Sequence, residues 1–250
     1  MIKEKEITKL IVSEYFNSIL SNIEIDVAIV GAGPSGLTAA RFLAEHGKKV
    51  AIFESRVAPG GGMWGGGMLY PVIVLKEGRE LLEKIGVKCR EKDGYYIANA
   101  VEATSKLISA AIDAGALLYN GTTVEDIVVK NDRVAGVVIN WTAALQLGLL
   151  VDPLSIEAKF VIDATGHDCY VARKIERLGG EKMQGEKAMW AEMGEKATIE
   201  HSKEIYPGLY VAGMAAIAYA GAPRMGPIFG GMLLSGKKVA EEILKKLDTQ

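Results

Sequence analysis

The segment Gly31-Ala-Gly33-Pro-Ser35-Gly36 follows an apolar run over residues 25–30 and precedes a second apolar run over residues 37–44. Strand, glycine turn and helix in that order constrain this chain more than any other feature. Gly31 permits the tight turn, Gly33 lets backbone approach a pyrophosphate, and Gly36 lets helix and strand pack closely. The helix N-terminus then presents free N–H groups and the positive end of its dipole to the phosphates. A second apolar strand over residues 49–53 ends in Glu54. That acid sits at roughly the 20-residue distance expected of a ribose-binding carboxylate. A glycine turn without a ligand would leave Glu54 unexplained.

The bulk properties exclude several classes. The chain of 250 residues is long enough to bury a sizeable core. A net charge of −2 gives no electrostatic footprint for nucleic acid. No apolar run reaches the roughly 18 residues of a membrane span, and the charged N-terminus lacks the apolar stretch of a secretory signal. Cys89 and Cys169 make no disulfide framework, so a reduced, cytoplasmic protein is expected. Glycine occupies 29 positions, well above the usual share of about 7%, and it is clustered. Clustering points to close backbone–ligand approach rather than low complexity.

Apolar residues at helical spacing predict an amphipathic helix over residues 4–22, placed on the outside or in a subunit contact. After the first βαβ comes a loop over residues 59–68 with glycine at 60, 61, 62, 65, 66 and 67. Such a loop forms no stable helix or strand; it is a flexible lid or a backbone surface pressed on a ligand. Helices are expected over 77–86, 101–114 and 229–247. Strands are expected over 116–119, 123–129, 133–139, 155–162 and 208–213, the second and third joined as a hairpin by Lys130-Asn-Asp132. The expected architecture is α/β: an FAD/NAD-type, Rossmann-like parallel sheet with an antiparallel hairpin insertion, forming one dinucleotide-binding domain over residues 1–250.

Three further residues carry candidate chemistry. His167 comes directly after the glycine that ends a buried strand, a position at a cleft; it is a divalent transition-metal ligand such as ferrous iron would take, or a satisfied structural histidine. Asp152 precedes Pro153 and is a second ligand or the start of a turn. Arg224, between Pro223 and Gly226, is a solvated surface arginine or a fixed fork for a small carboxylate.

The layout resembles the flavoproteins with two dinucleotide-binding domains, through GAGPSG with its acid, the "ATG" strand end at residues 164–166 and the "LYVAG" strand at residues 209–213. In that family the late strand continues with an acid that binds the flavin. Here the position holds Met214, and a thioether does not replace a carboxylate acceptor. NAD, which shares the ADP half of FAD, fits better.

Taken with the GGGMWGGG loop, the DATGHD segment at residues 163–168 and the PRMGPIFGGM segment at residues 223–232, the chain resembles the thiamine thiazole synthase family over nearly its whole length. The resemblance implies a chemistry. NAD is consumed as a substrate, nicotinamide is released, and the ADP-ribose unit is condensed with glycine and sulfur into ADP-5-ethyl-4-methylthiazole-2-carboxylate. It implies that Ser35, Glu54, Ser55, Gly62, Val124, Leu150, Val151, Asp152 and Met214 line the NAD site. It implies further that Asp152 and His167, from neighbouring subunits of a homo-octamer, bind ferrous iron, and that Arg224 holds the glycine carboxylate. One branch of the family takes sulfur from its own cysteine a few residues after "GHD"; another uses free sulfide. With the basic pair Arg173-Lys174 aligned, Val171 falls at the donor position and Cys169 two residues earlier. Sulfide-dependent, multiple-turnover catalysis is therefore expected. The alternatives are single-turnover donation from Cys169, an FAD-dependent oxidoreductase, and a non-catalytic NAD-binding module.

Overall fold

A computed structural model of the chain describes residues 1–249; Gln250, the last residue of the expected domain, lies outside the described residues. Helix α1 (Glu4–Ser21) leads into the first βαβ unit, made of β1 (Glu24–Val30), α2 (Pro34–Glu45) and β2 (Val50–Glu54). Strands β1 and β2 are parallel, with Val27 opposite Val50 and Val30 opposite Phe53. Val27 and Ile29 pack beside Leu37, Ala40 and Leu43 of α2, whereas Ile25, Ala28 and Val30 join a second core on the other face. Both faces of β1 are covered, which is why its sequence is a continuous apolar run rather than an alternating one. Close packing of α2 on the strand end depends on two glycines. A Cβ on Gly36 would run into the Gly31 carbonyl oxygen, and Gly31 itself has φ +99°.

The glycine loop then forms one short 3-10 turn (Gly61–Gly65), a local order that its composition does not predict. Next come β3 (Val72–Leu75), α3 (Arg79–Glu83), β4 (Arg90–Lys92) and β5 (Tyr95–Asn99). The three strands make a separate antiparallel sheet in the order β3-β5-β4. The sequence predicts a helix over 77–86 and none of these strands. The helix is shorter because Gly78 and Gly86, both left-handed, bracket it. The β4–β5 hairpin turns on Asp93-Gly94, both with positive φ, the Asp-Gly pair that a type I′ turn favours.

Helix α4 (Ala100–Asp113) is capped by Asn99, whose Oδ1 accepts from the Glu102 N–H at 2.9 Å. Strand β6 (Leu117–Asn120) pairs with β2 in parallel. The expected hairpin is β7 (Thr122–Lys130) and β8 (Arg133–Trp141), turning on Asn131 and Asp132 at positive φ. After α5 (Thr142–Gln146), β9 (Leu154–Asp163) begins antiparallel to β8 and ends parallel to β1. The chain closes with α6 (Ala191–His201), β10 (Lys203–Tyr206), β11 (Leu209–Val211), α7 (Met214–Ala220) and α8 (Gly230–Leu247). Of these, α6, β10 and α7 add to the expected elements. The main sheet has the order β10-β11-β9-β1-β2-β6, with the β7–β8 hairpin joined through β9. This is the expected FAD/NAD-type α/β architecture.

Helix α1 buries none of its residues. Tyr15 stacks on Trp141 with centroids 5.9 Å apart, while Leu10, Ile11, Phe16 and Leu20 stay exposed. No helix among the described residues is long and apolar enough to cross a membrane.

The glycine contacts give a paired prediction. Gly36→Ala forces its Cβ into backbone that cannot give way and should cost about 3 kcal/mol, the upper end of overpacking. Gly33→Ala meets nothing within 4 Å and should change stability by about 1 kcal/mol at most, the size of an N-cap effect. Urea denaturation of the two variants measures the difference.

Candidate functional site

Strands β11, β9, β1 and β2 run parallel, and Val211, Asp163, Val30 and Phe53 lie level across them. The segments leaving those strands therefore open on one edge: the glycine turn after β1, Ser55 after β2, His167 after β9 and Met214 after β11. In open α/β sheets, ligands bind outside that edge.

The half of this edge beside the glycine turn is held by its own hydrogen bonds. Glu54 is buried at the tip of β2. Its Oε2 accepts from the Ala32 N–H at 2.8 Å, and its Oε1 accepts from the Arg56 N–H at 2.9 Å and the Ser55 hydroxyl at 3.4 Å. The glycine loop lies directly on the turn, with the Gly60 N–H donating to the Ala32 carbonyl at 2.7 Å. It is pinned by buried Met63 and by the Trp64 indole, which donates to the Pro59 carbonyl at 2.7 Å. These contacts hold the loop against the glycine turn. Along the Cβ directions of Gly33 and Gly62 nothing stands within 4 Å, and Gly33 has an ordinary φ of −78°. The packing of the described residues does not require glycine at either position, and the backbone there is open to an approaching group. Ser35 is buried at the start of α2 with its Oγ against Gly213, whose N–H donates to Ser235 Oγ at 3.0 Å. Met214 is buried at the start of α7, and Val124 is buried on β7 beside Phe53 and Tyr119.

The other half is organised by Asp163, which is fully buried. Its Oδ1 accepts from the Thr165 N–H (2.9 Å) and hydroxyl (2.7 Å), and its Oδ2 accepts from the Val171 (2.9 Å) and Ala172 (2.8 Å) N–H groups. Burial pushes its carboxyl upward, and these donors oppose the push. The chain from 164 to 172 is thereby drawn round one carboxylate. His167 projects outward from it, more than half exposed, with Nδ1 2.6 Å from Glu186 Oε1. Glu186 Oε2 lies 3.5 Å from Arg224 Nε, so one carboxylate joins His167 to Arg224. No motif points to Glu186; it arrives through backbone pairing with residues far along the chain.

Asp152, Leu150 and Val151 are placed differently. They lie exposed in the segment that precedes β9, where the Val151 N–H donates to the Leu149 carbonyl at 3.1 Å and the Val151 carbonyl accepts from the Asn140 amide at 3.2 Å. Asp152 and His167 stand at opposite ends of β9, roughly 30 Å of strand apart, and no hydrogen bond or ion pair among the described residues joins them. No group of three His, Cys, Asp or Glu side chains capable of holding a metal occurs among the described residues. His167 fits a metal on its own account. It is an accessible imidazole with one nitrogen oriented by a carboxylate, as metal-bound histidines are.

Cys169 is fully buried, and its Sγ lies 3.2 Å from the Ala215 carbonyl. Burial first, then the Asp163 carboxyl, push its thiol far upward and suppress the reactive thiolate. The neighbouring Tyr219 hydroxyl is buried without a hydrogen-bond partner among the described residues and is pushed up to about 12, chiefly by burial.

A family model described as "Thi4 family" matches residues 8–229. The chain belongs to the Thi4 family. It is 55% identical over 250 residues to the thiamine thiazole synthase of Pyrococcus horikoshii, covering 99% of each chain. It is 51% identical over 251 residues to that of Methanothermobacter thermautotrophicus, covering 97% of each. A crystal structure of Thermovibrio ammonificans THI4 is similar to it with a TM-score of 0.96 at 52% identity, covering 99% of both chains. The resemblance read from the GGGMWGGG, DATGHD and PRMGPIFGGM segments of this Thi4-family chain is borne out.

The two thiols should separate cleanly under native conditions. Cys89 is half-buried and Cys169 is sealed, so a thiol-reactive chromophore should label Cys89 while Cys169 reacts only on unfolding. Peptide mass mapping over time measures this.

Proposed function

We propose that this chain is a sulfide-dependent thiamine thiazole synthase that consumes NAD, glycine and sulfide and turns over repeatedly. The observation that carries the reading is the single edge on which the dinucleotide turn, His167 and Arg224 meet. NAD would lie with its pyrophosphate over Gly33 and Gly62, where the backbone is open, and at the N-terminus of α2. Glu54 would accept from the adenosine ribose hydroxyls, with Ser35, Ser55, Val124 and Met214 around the nucleotide. The Arg224 guanidinium would hold the glycine carboxylate through a two-pronged, charge-assisted contact. His167, with Asp152 of the partner subunit, would hold ferrous iron, and Leu150 and Val151 would reach the neighbouring NAD on the same arm. When bound there, iron supplies Lewis acidity to the condensation and sulfur-addition steps. Glycine and NAD thus react side by side because the chain fixes each by its charged end.

What supports a shared site is the separation of Asp152 from His167 along β9, together with the uncovered apolar side of α1. A homo-octamer is the assembly we propose, in the reducing cytoplasm that two free cysteines suit. What supports free sulfide as the donor is the burial of Cys169. Flavin chemistry is disfavoured by Met214, which offers no carboxylate to a ribityl chain.

Anaerobic incubation with NAD, glycine, ferrous iron and sulfide should release nicotinamide and more than one adenylated thiazole per chain. A parallel tube without sulfide should make none, and the intact protein mass should not change. Loss of the elements of hydrogen sulfide from Cys169 would replace this reading with single-turnover donation; NAD recovered intact would leave only a binding module. Arg224→Ala should raise the KM for glycine roughly 10- to 100-fold, as expected for losing a charged hydrogen-bonded contact, with the KM for NAD little changed.

A further inference from the structure

We infer that Glu186 is a positioning residue that sets both the imidazole of His167 and the guanidinium of Arg224. The inference rests on the functional reading above for what those two groups do, but its geometry stands in the chain alone. Glu186 is less exposed than either partner: its side chain is 16% accessible, against 55% for His167 and 53% for Arg224. An ion pair placed only for stability gains little when its partners are this exposed. A sheltered carboxylate between two exposed groups instead fixes where they point.

The backbone holds Glu186 in place from both sides. The Gln184 and Gly185 N–H groups donate to the Tyr219 and Ala218 carbonyls at 3.1 and 2.9 Å. The Lys187 N–H donates to the Ala222 carbonyl at 3.0 Å, and the Trp190 N–H to the Arg224 carbonyl at 3.0 Å. Residues 184–190 are therefore laced to residues 218–224, the segment that carries Arg224. Glu186 moves with Arg224, and through its Oε1 it reaches across to the loop that Asp163 draws in.

The atoms used at each contact matter. The Glu186 contact is at His167 Nδ1, so Nδ1 carries a hydrogen and donates to the carboxylate, and in the neutral ring Nε2 is the nitrogen with the free lone pair. At Arg224 the contact is at Nε, so the two terminal nitrogens remain available as a fork for a carboxylate. One carboxylate thus chooses the tautomer of one ligand-binding group and the open face of the other.

The test uses the full-length protein with Glu186→Ala and Glu186→Gln. Nitrogen-15 spectra of the metal-free, histidine-labelled chain, with His167 assigned by comparison with His167→Asn, should place the proton on Nδ1 in the parent. Glu186→Ala should move it toward Nε2, weaken cobaltous-ion binding about 10- to 100-fold, and raise the glycine KM several-fold with the NAD KM unchanged. Glu186→Gln, whose amide oxygen still accepts from Nδ1–H, should keep the tautomer and most of the cobalt affinity. The inference fails if Glu186→Ala leaves tautomer and affinity at parent values, or if the Gln variant matches Ala in tautomer and cobalt affinity. A parent that binds no cobalt at all would sink the metal reading of the site, while the tautomer, measured without metal, still decides the role of Glu186.

Discussion

Parallel register is the constraint on which this molecule is built. Because β1, β2, β9 and β11 finish level with one another, segments far apart in sequence emerge side by side. The arrangement holds only while α2 can lie against the end of β1, and that closeness depends on Gly36 and Gly31. Next to them the Ala164 N–H donates to the Val30 carbonyl at 2.9 Å, which docks the loop after β9 against the glycine turn.

Asp163 converts that docking into a defined shape. A fully buried carboxylate with no cation beside it is stable only if its oxygens are well supplied with donors, and four donors from the next nine residues meet this need. The same winding sends His167 out to the edge and turns Cys169 into the core. The contrasting environments of these two residues, two positions apart, have one cause.

Local chemistry makes much of this legible. The strand, glycine turn, helix and terminal acid around Gly31 and Glu54 fold as their spacing requires, and the Asn131-Asp132 turn makes the expected hairpin. The small β3-β5-β4 sheet escapes a reading of the sequence although Asp93-Gly94 signals a hairpin, because its strands are three to five residues long and lie mostly at the surface. For His167 the sequence leaves a structural and a ligand role open, and its exposure and its Glu186 contact are tertiary facts that spacing does not carry. Glu186 itself is not legible, since its place comes from pairing with the distant segment 218–224. Gly33 and Gly62 can be recognised as glycines in a turn and a loop, but only the folded chain reveals that the space in front of them is open.

The length of β9 has a consequence for inheritance as well as for chemistry. It sets the two ends of the strand far apart, so that, on the proposed function, a centre assembled from Asp152 and His167 belongs to no single copy. On the proposed function, a chain damaged at one end and a chain damaged at the other would each be inert alone. Mixed in one assembly, they would rebuild intact centres wherever an undamaged Asp152 met an undamaged His167. Two defective alleles could thereby complement each other within one protein.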